Sequence, residues 1–129
     1  MPDREFVVGF ADVSIADIAS VGGKNASLGE MTRELAPLGV RVPAGFAVTA
    51  GAYWRHLRDA GLDEWVFGEL DRLNVADTRT LGETASRIRQ RIAAASLPRG
   101  VREELAAAYR ELSSGLEGGC AVAVRSSAT

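Results

Sequence analysis

The chain has 129 residues, of which 47% are hydrophobic and 25% charged, and its formal net charge is −2. This is the composition of a globular domain that is long enough to bury a real core. The near balance of 15 Lys and Arg with 17 Asp and Glu argues against a nucleic-acid partner. No segment is apolar enough to cross a membrane and the N-terminus lacks a secretory signal, so we expect a cytoplasmic location.

The first part of the chain predicts a strand, a helix and a second strand. Glu5–Phe10 is a short run rich in Val and Phe, which is typical of a strand. Residues 24–35 have helical spacing, and Pro37 and Gly39 follow as terminators. The apolar face of this helix is predicted to carry Leu28, Met31 and Leu35. Residues 40–48 predict an extended segment, a turn at Pro43-Ala44-Gly45 and a short strand.

Four more helices are predicted between Thr49 and Gly115. Their predicted first residues or caps are Thr49, Asp63, Thr80 and Pro98. Gly61 stands where a left-handed C-cap would end the first of the four. The positions with apolar helical spacing are Tyr53, Trp54, Leu57, Val66, Leu70, Leu73, Leu81, Ala85, Ile88, Ile92, Val101, Leu105, Ala108 and Leu112.

The last predicted element is a buried strand from Cys120 to Val124. Cys120 is the single cysteine, so it cannot form an internal disulfide, and we expect a packing residue rather than a reactive thiol. The order of these elements is strand, helix, strand, several helices and strand. This order predicts an α/β (α+β) fold, in which helices cover a small mixed sheet. Because three short strands make a thin sheet, we expect the chain to end within a larger domain.

Gly22, Gly23 and Lys24 predict a phosphate site at the start of the first long helix. A helix N-terminus favours an anion, and glycine lets the backbone approach that anion closely. The P-loop pattern requires glycine and Ser or Thr where this chain has Ile18 and Asn25, so the site is not a P-loop. By its spacing alone, the motif favours a plain helix start with a solvated lysine over a phosphate site.

A second anion-seeking motif, Ala121–Thr129 (AVAVRSSAT), stands at the end of the last predicted strand. Arg125 offers a planar fork of donors that suits phosphate oxygens, and Ser126 and Ser127 could donate further hydrogen bonds. Ligands in α/β folds bind at strand ends. The alternative is a solvated arginine followed by a polar turn.

Other chemistry-bearing side chains are assigned to structure rather than to a site. His56 lies between Arg55 and Arg58, which predicts a surface histidine. Four aromatic residues could form an adenine platform, but their helical spacing favours core or subdomain contacts: Tyr53, Trp54, Trp65 and Phe67. Three arginines alternate along one helix and are expected in solvent: Arg87, Arg89 and Arg91.

Together, VGGKNASLGEM at 21–31, RVPAGFAVTAGAY at 41–53 and AVAVRSSAT at 121–129 resemble the N-terminal part of the phosphoenolpyruvate synthase family, the pyruvate, water dikinases. The resemblance covers essentially the whole chain, with the motifs in the family's order. Pyruvate, phosphate dikinase and rifampin phosphotransferase share parts of the pattern. Of these three families, the synthase is the one that residues Asn25 to Met31 resemble most.

The resemblance implies that residues 1–129 are the N-terminal portion of an ATP-binding domain, an ATP-grasp-like N-terminal subdomain. Lys24 and Arg125 would contact the phosphates of ATP, whereas Mg²⁺ would be held by residues outside this chain. The family's enzymes move phosphate from ATP to a histidine in a second domain and then to pyruvate in a third, which yields AMP, phosphate and phosphoenolpyruvate.

The resemblance therefore implies no catalytic and no metal-ligating residue in the 129 residues, and partners in the pyruvate and phosphohistidine domains of the longer enzyme. We do not expect catalysis by the chain alone. Two alternatives from other classes remain: a fragment of an antibiotic phosphotransferase or pyruvate, phosphate dikinase, and a non-catalytic interaction module that keeps the fold.

Overall fold

Residues 4–129, which the computed structural model describes, form two short strands and a set of helices. In chain order these are β1 (Val7–Gly9), α1 (Ile18–Val21), α2 (Gly23–Leu35), β2 (Phe46–Val48), α3 (Ala50–Asp59), α4 (Asp63–Asp71), α5 (Thr78–Ala94) and α6 (Arg99–Leu112). Single 3₁₀ turns lie at Phe10–Asp12, Ile15–Asp17 and Ala36–Leu38. This mixture confirms the predicted α/β class. No helix within the described residues is long and apolar enough to cross a membrane.

The chain divides into two compact units. The first takes in the chain up to Ala52 and from Arg99 onward, and the second is Tyr53–Pro98. In the first unit β1 and β2 pair antiparallel, with Val7 opposite Val48. Both strands lie where the sequence predicts them but are only 3 residues long. The pairing places Val7 and Ala47 in the interior.

Two apolar clusters form the core of the first unit. Helix α6 contributes Val101 and Ala108, with Leu105 packed against them, which confirms its predicted apolar face. Val13 is fully buried. The members of the first cluster are Phe6, Val7, Ala52, Val101 and Ala108, and those of the second are Val13, Val21, Ala26 and Ala47.

The predicted apolar face of α2 is wrong. Met31 is 39% exposed, and the residues that α2 buries are Ala26 and Gly29. The reason is backbone approach: a Cβ built on Gly29 would lie 2.2 Å from the carbonyl oxygen of Val13. Because the backbone of Val13 packs directly on the helix, small residues face the core and the larger ones lie at the side.

The predicted buried strand from Cys120 to Val124 is also wrong. Residues 119–129 contain no regular secondary structure, and Val124 is 91% exposed. The backbone polar groups of a strand need partners on a neighbouring strand. Those of Cys120 bind the Tyr109 hydroxyl instead, which accepts from the Cys120 N–H at 3.1 Å and donates to the Cys120 carbonyl at 2.9 Å. Cys120 is a partly exposed free thiol, not a fully buried one.

The second unit has its own apolar cluster. Leu57, Leu62 and Val66 are buried, and Ile88 and Ile92 of α5 pack against them as predicted. The other partly buried members are Trp65 and Ala95. Four residues predicted to face inward are more than one-third exposed: Tyr53, Trp54, Leu70 and Leu81.

Helix ends in the second unit follow local signals, but not always the predicted ones. Gly61 adopts a φ of 64° and confirms the left-handed C-cap after α3. Asp63 makes no side-chain cap, and Leu62 precedes α4 instead. The N-cap of α5 is Asp77, which accepts hydrogen bonds from the N–H groups of Arg79 and Thr80. A carboxylate three residues before Thr80 satisfies the free amides first, so Thr80 lies inside the helix.

His56 is 7% exposed, so the predicted surface position is wrong. Its Nε2 donates to the carbonyl of Ile92 at 3.0 Å. The Nδ1 atom is buried and has no hydrogen-bond partner among the described residues. The neighbouring charges Arg55 and Arg58 were misleading, because the helical rotation of about 100° per residue places them on other faces.

Acidification should remove the contribution of the Asp77 cap to stability. The hydrogen bond from the Thr80 hydroxyl, at 2.7 Å, and that from its N–H hold the pKa of Asp77 below the ordinary 3.8. Because the folded-state pKa is lowered, the stabilisation is complete above pH 3.8 and is lost as the pH falls through the folded-state pKa. We expect the stability difference between the wild type and Asp77→Ala to narrow in that range.

Thermal melts of the wild type, Asp77→Ala and Asp77→Asn from pH 5 to pH 2 measure this effect. Asn also caps helices but does not titrate, so the difference between Asp77→Asn and Asp77→Ala should not change with pH. A wild-type advantage over Asp77→Ala that is constant down to pH 2 would contradict the assignment.

Candidate phosphate-binding site

A glycine bend starts α2 and sets the position of Lys24. Gly22 adopts φ 80° and ψ 161°, which is a backbone conformation that favours glycine. Its N–H closes α1 on the carbonyl of Ile18 at 2.8 Å, and its carbonyl accepts the N–H of Ala26 at 3.0 Å to open α2. Lys24 therefore lies in the first turn of α2, as predicted, with its side chain exposed.

The two predicted anion motifs lie next to each other. The Lys24 ammonium donates to the carbonyl of Ser126 at 3.3 Å, across 102 positions of sequence. The N–H of Gly23 donates to the carbonyl of Ala128 at 3.3 Å. The N–H of Asn25 donates to the Ser127 hydroxyl at 3.4 Å. The segment that follows Arg125 thus crosses the first turn of α2.

Gly22 is required by this crossing. A Cβ built on Gly22 would lie 2.2 Å from the Ser127 Oγ and 2.7 Å from the carbonyl oxygen of Ala128. The sequence predicts that the glycine pair allows the close approach of a phosphate. In the structure the group that approaches Gly22 so closely is the chain's own serine.

The amides of the α2 first turn are less available than the sequence predicts. Those of Gly23 and Asn25 are directed at oxygens of Ala128 and Ser127. The space beside Gly23 is nevertheless open, because a Cβ built there meets no atom within 4 Å. Because two of these amides already have acceptors, a ligand anion would rely on the side-chain cations more than on the helix dipole.

The two predicted cations, Lys24 and Arg125, are both exposed. Within residues 4–129, neither Lys24 nor Arg125 forms an ion pair, and the Arg125 guanidinium has no hydrogen-bond partner. The Lys24 ammonium contacts only a neutral carbonyl, that of Ser126. Their positive charge is therefore free for an anionic ligand.

The second unit holds the aromatic residues and the arginine row that the sequence singles out. Trp54 and Phe67 stack on each other with ring centroids 6.0 Å apart, and Tyr53 meets Trp54 edge-on at 5.7 Å. The arginine row is exposed as predicted. Two of its members nevertheless have partners: Arg87 pairs with Glu69, and Arg91 lies 4.4 Å above the Trp65 ring.

The described residues include no group of three or more His, Cys, Asp or Glu side chains that could hold a metal ion.

Comparisons with known proteins match the chain to one domain family and to several enzymes. Residues 18–129 match the family described as pyruvate phosphate dikinase, AMP/ATP-binding domain. The chain is 45% identical to the phosphoenolpyruvate synthase of Pseudomonas aeruginosa over 97% of this chain and 16% of that protein. It is 42% identical to the enzyme of that name from Neisseria meningitidis, over 96% of this chain and 16% of the relative. It is 37% identical to the phosphoenolpyruvate synthase of Escherichia coli, over 95% of this chain and 15% of that protein. The chain thus spans about one-sixth of these relatives' length.

Proposed function

The chain belongs to the pyruvate phosphate dikinase AMP/ATP-binding domain family, and on that premise we propose that it binds ATP through Lys24 and Arg125. The observation that carries the proposal is the crossing of the Ser126–Ala128 segment over the first turn of α2, which brings the two motifs together. Both cations are exposed, and the space beside Gly23 is open.

The two side chains suit complementary tasks at a triphosphate. The Lys24 ammonium is a compact charge on a flexible stem, whereas the planar Arg125 guanidinium can donate two parallel hydrogen bonds to one phosphate. Phosphoryl transfer depends mainly on positioning and on neutralising the phosphate charge. In this proposal Lys24 and Arg125 orient the triphosphate, and the reacting groups come from elsewhere in a longer protein.

The longer protein is proposed to be a cytoplasmic phosphoenolpyruvate synthase. Its reaction consumes ATP, pyruvate and water and yields AMP, phosphate and phosphoenolpyruvate, by way of a phosphohistidine in a domain outside this chain. Mg²⁺ would accompany ATP and neutralise phosphate charge, with ligands outside these 129 residues. The names of the relatives support this assignment over an antibiotic phosphotransferase, and the one-sixth share of their length supports a longer protein.

An ATP titration by calorimetry tests the phosphate contacts. We expect Lys24→Ala and Arg125→Ala each to weaken ATP binding about tenfold or more, which corresponds to about 1.4 kcal/mol. Arg89→Ala is the matched control, because Arg89 is an exposed arginine of the second unit. Arg89→Ala should bind ATP with the affinity of the wild type. Equal affinity in all four proteins would refute the assigned roles.

A further inference from the structure

The Ser127 hydroxyl occupies the narrow space between Gly22 and Asn25. It accepts the Asn25 N–H at 3.4 Å, and a Cβ on Gly22 would approach it to 2.2 Å. Ser127 is also the one partly buried residue of the described stretch 121–129, since the others there are exposed. The hydroxyl is therefore the part of the AVAVRSSAT motif that packs into the domain.

Two attachments hold this terminal segment. At one end the Tyr109 hydroxyl binds both backbone polar groups of Cys120. At the other end Ser126, Ser127 and Ala128 accept hydrogen bonds from the first turn of α2: from the Lys24 ammonium, the Asn25 N–H and the Gly23 N–H. Arg125 lies between the attachments, two residues before Ser127, and its own side chain has no partner among the described residues.

We infer that Ser127 is a positioning residue that sets Arg125 against Lys24, with Gly22 providing the space that Ser127 needs. This inference rests on the proposed function, because it concerns the same phosphate contacts. Without the hydroxyl, the Asn25 N–H loses its acceptor and the segment loses its side-chain anchor. The Arg125 guanidinium must then be ordered when the phosphate binds, and that ordering lowers the affinity.

The test compares Ser127→Ala with Ser114→Ala, a change at an exposed serine after α6. The ligands are ATP and inorganic tripolyphosphate. We expect Ser127→Ala to weaken both about fivefold, in keeping with the loss of one hydrogen bond, and Ser114→Ala to bind as the wild type does. The Asn25 amide resonance should shift in Ser127→Ala and stay in place in Ser114→Ala.

A double-mutant cycle separates positioning from a merely structural role. If Ser127 acts through Arg125, then Ser127→Ala should cause no further loss of affinity when Arg125 is already alanine. The same fivefold loss in that background would overturn the inference, as would a loss for ATP without one for tripolyphosphate.

Failure of the inference and failure of the proposed function look different. Wild-type affinity in Ser127→Ala, with weakened binding in Arg125→Ala, overturns the positioning role alone. Wild-type affinity in both Lys24→Ala and Arg125→Ala overturns the proposed function, and the inference with it.

Discussion

Gly29→Ala is expected to destabilise the chain by about 3 kcal/mol, near the upper end of overpacking costs. The new Cβ would lie 2.2 Å from the carbonyl oxygen of Val13 and 2.8 Å from its carbonyl carbon. These are backbone atoms, so no side chain can rotate away. Helix α2 must move off the Val13 turn, which opens the cluster that holds Val13, Val21 and Ala26.

Gly82→Ala is the matched control for Gly29→Ala. Gly82 lies inside α5, and a Cβ there meets no atom within 4 Å. Alanine should stabilise this helix by about 0.5–1 kcal/mol, because glycine loses more backbone entropy on folding. Urea unfolding followed by circular dichroism, with amide exchange in α2, measures both variants. The expectation for Gly29 fails if both substitutions raise stability.

Glu104→Ala is expected to destabilise the first unit by about 3 kcal/mol, since hydrogen bonds to a charged group contribute about 1.5–3 kcal/mol. The Glu104 carboxylate accepts the N–H groups of Glu5, Phe6 and Val7 at 3.2, 2.8 and 3.0 Å. Phe6 and Val7 are 6% and 1% exposed. Without the carboxylate, the buried residues Phe6 and Val7 lose the acceptor for their N–H groups where water has little access.

Glu103→Ala provides the neighbouring control for Glu104→Ala. Glu103 pairs with Arg99 on the surface of α6, at 2.6 Å, and with no other cation from residue 4 onward. Exposed pairs within one helix contribute little, so Glu103→Ala should melt close to the wild type. Amide exchange at Val7 should accelerate only in Glu104→Ala. Equal melting temperatures for the two variants would show that Glu104 does not anchor β1.

The candidate site was more predictable than the core. Glycine conformation and helix-start chemistry are local properties, so the Gly22-Gly23-Lys24 start of α2 could be placed from the sequence. The Arg125 motif could likewise be identified from its residue types. That the two motifs lie next to each other could be predicted only from the resemblance to a family, because no local rule relates positions 102 residues apart.

Three of the wrong predictions share one cause. His56, the α2 face and the Cys120 segment were assigned from neighbouring residues, yet each depends on a contact distant in sequence. His56 is covered by α5 through Ile92. The α2 face is set by the Val13 backbone, and the Cys120 segment is held by Tyr109. Asp77 is different, since its cap is local and could have been recognised three residues before Thr80.

The sequence alone determined the α/β class, the two short strands and the existence of the longer helices α2 to α6. These follow from backbone propensity, apolar spacing and side-chain type, which act over a few residues. The tertiary structure decided which helix face is buried, which hydroxyl occupies the space at Gly22 and which amides of α2 are still free. Those outcomes depend on close packing and on pairing of polar groups between distant segments. Short-range patterns do not contain that information.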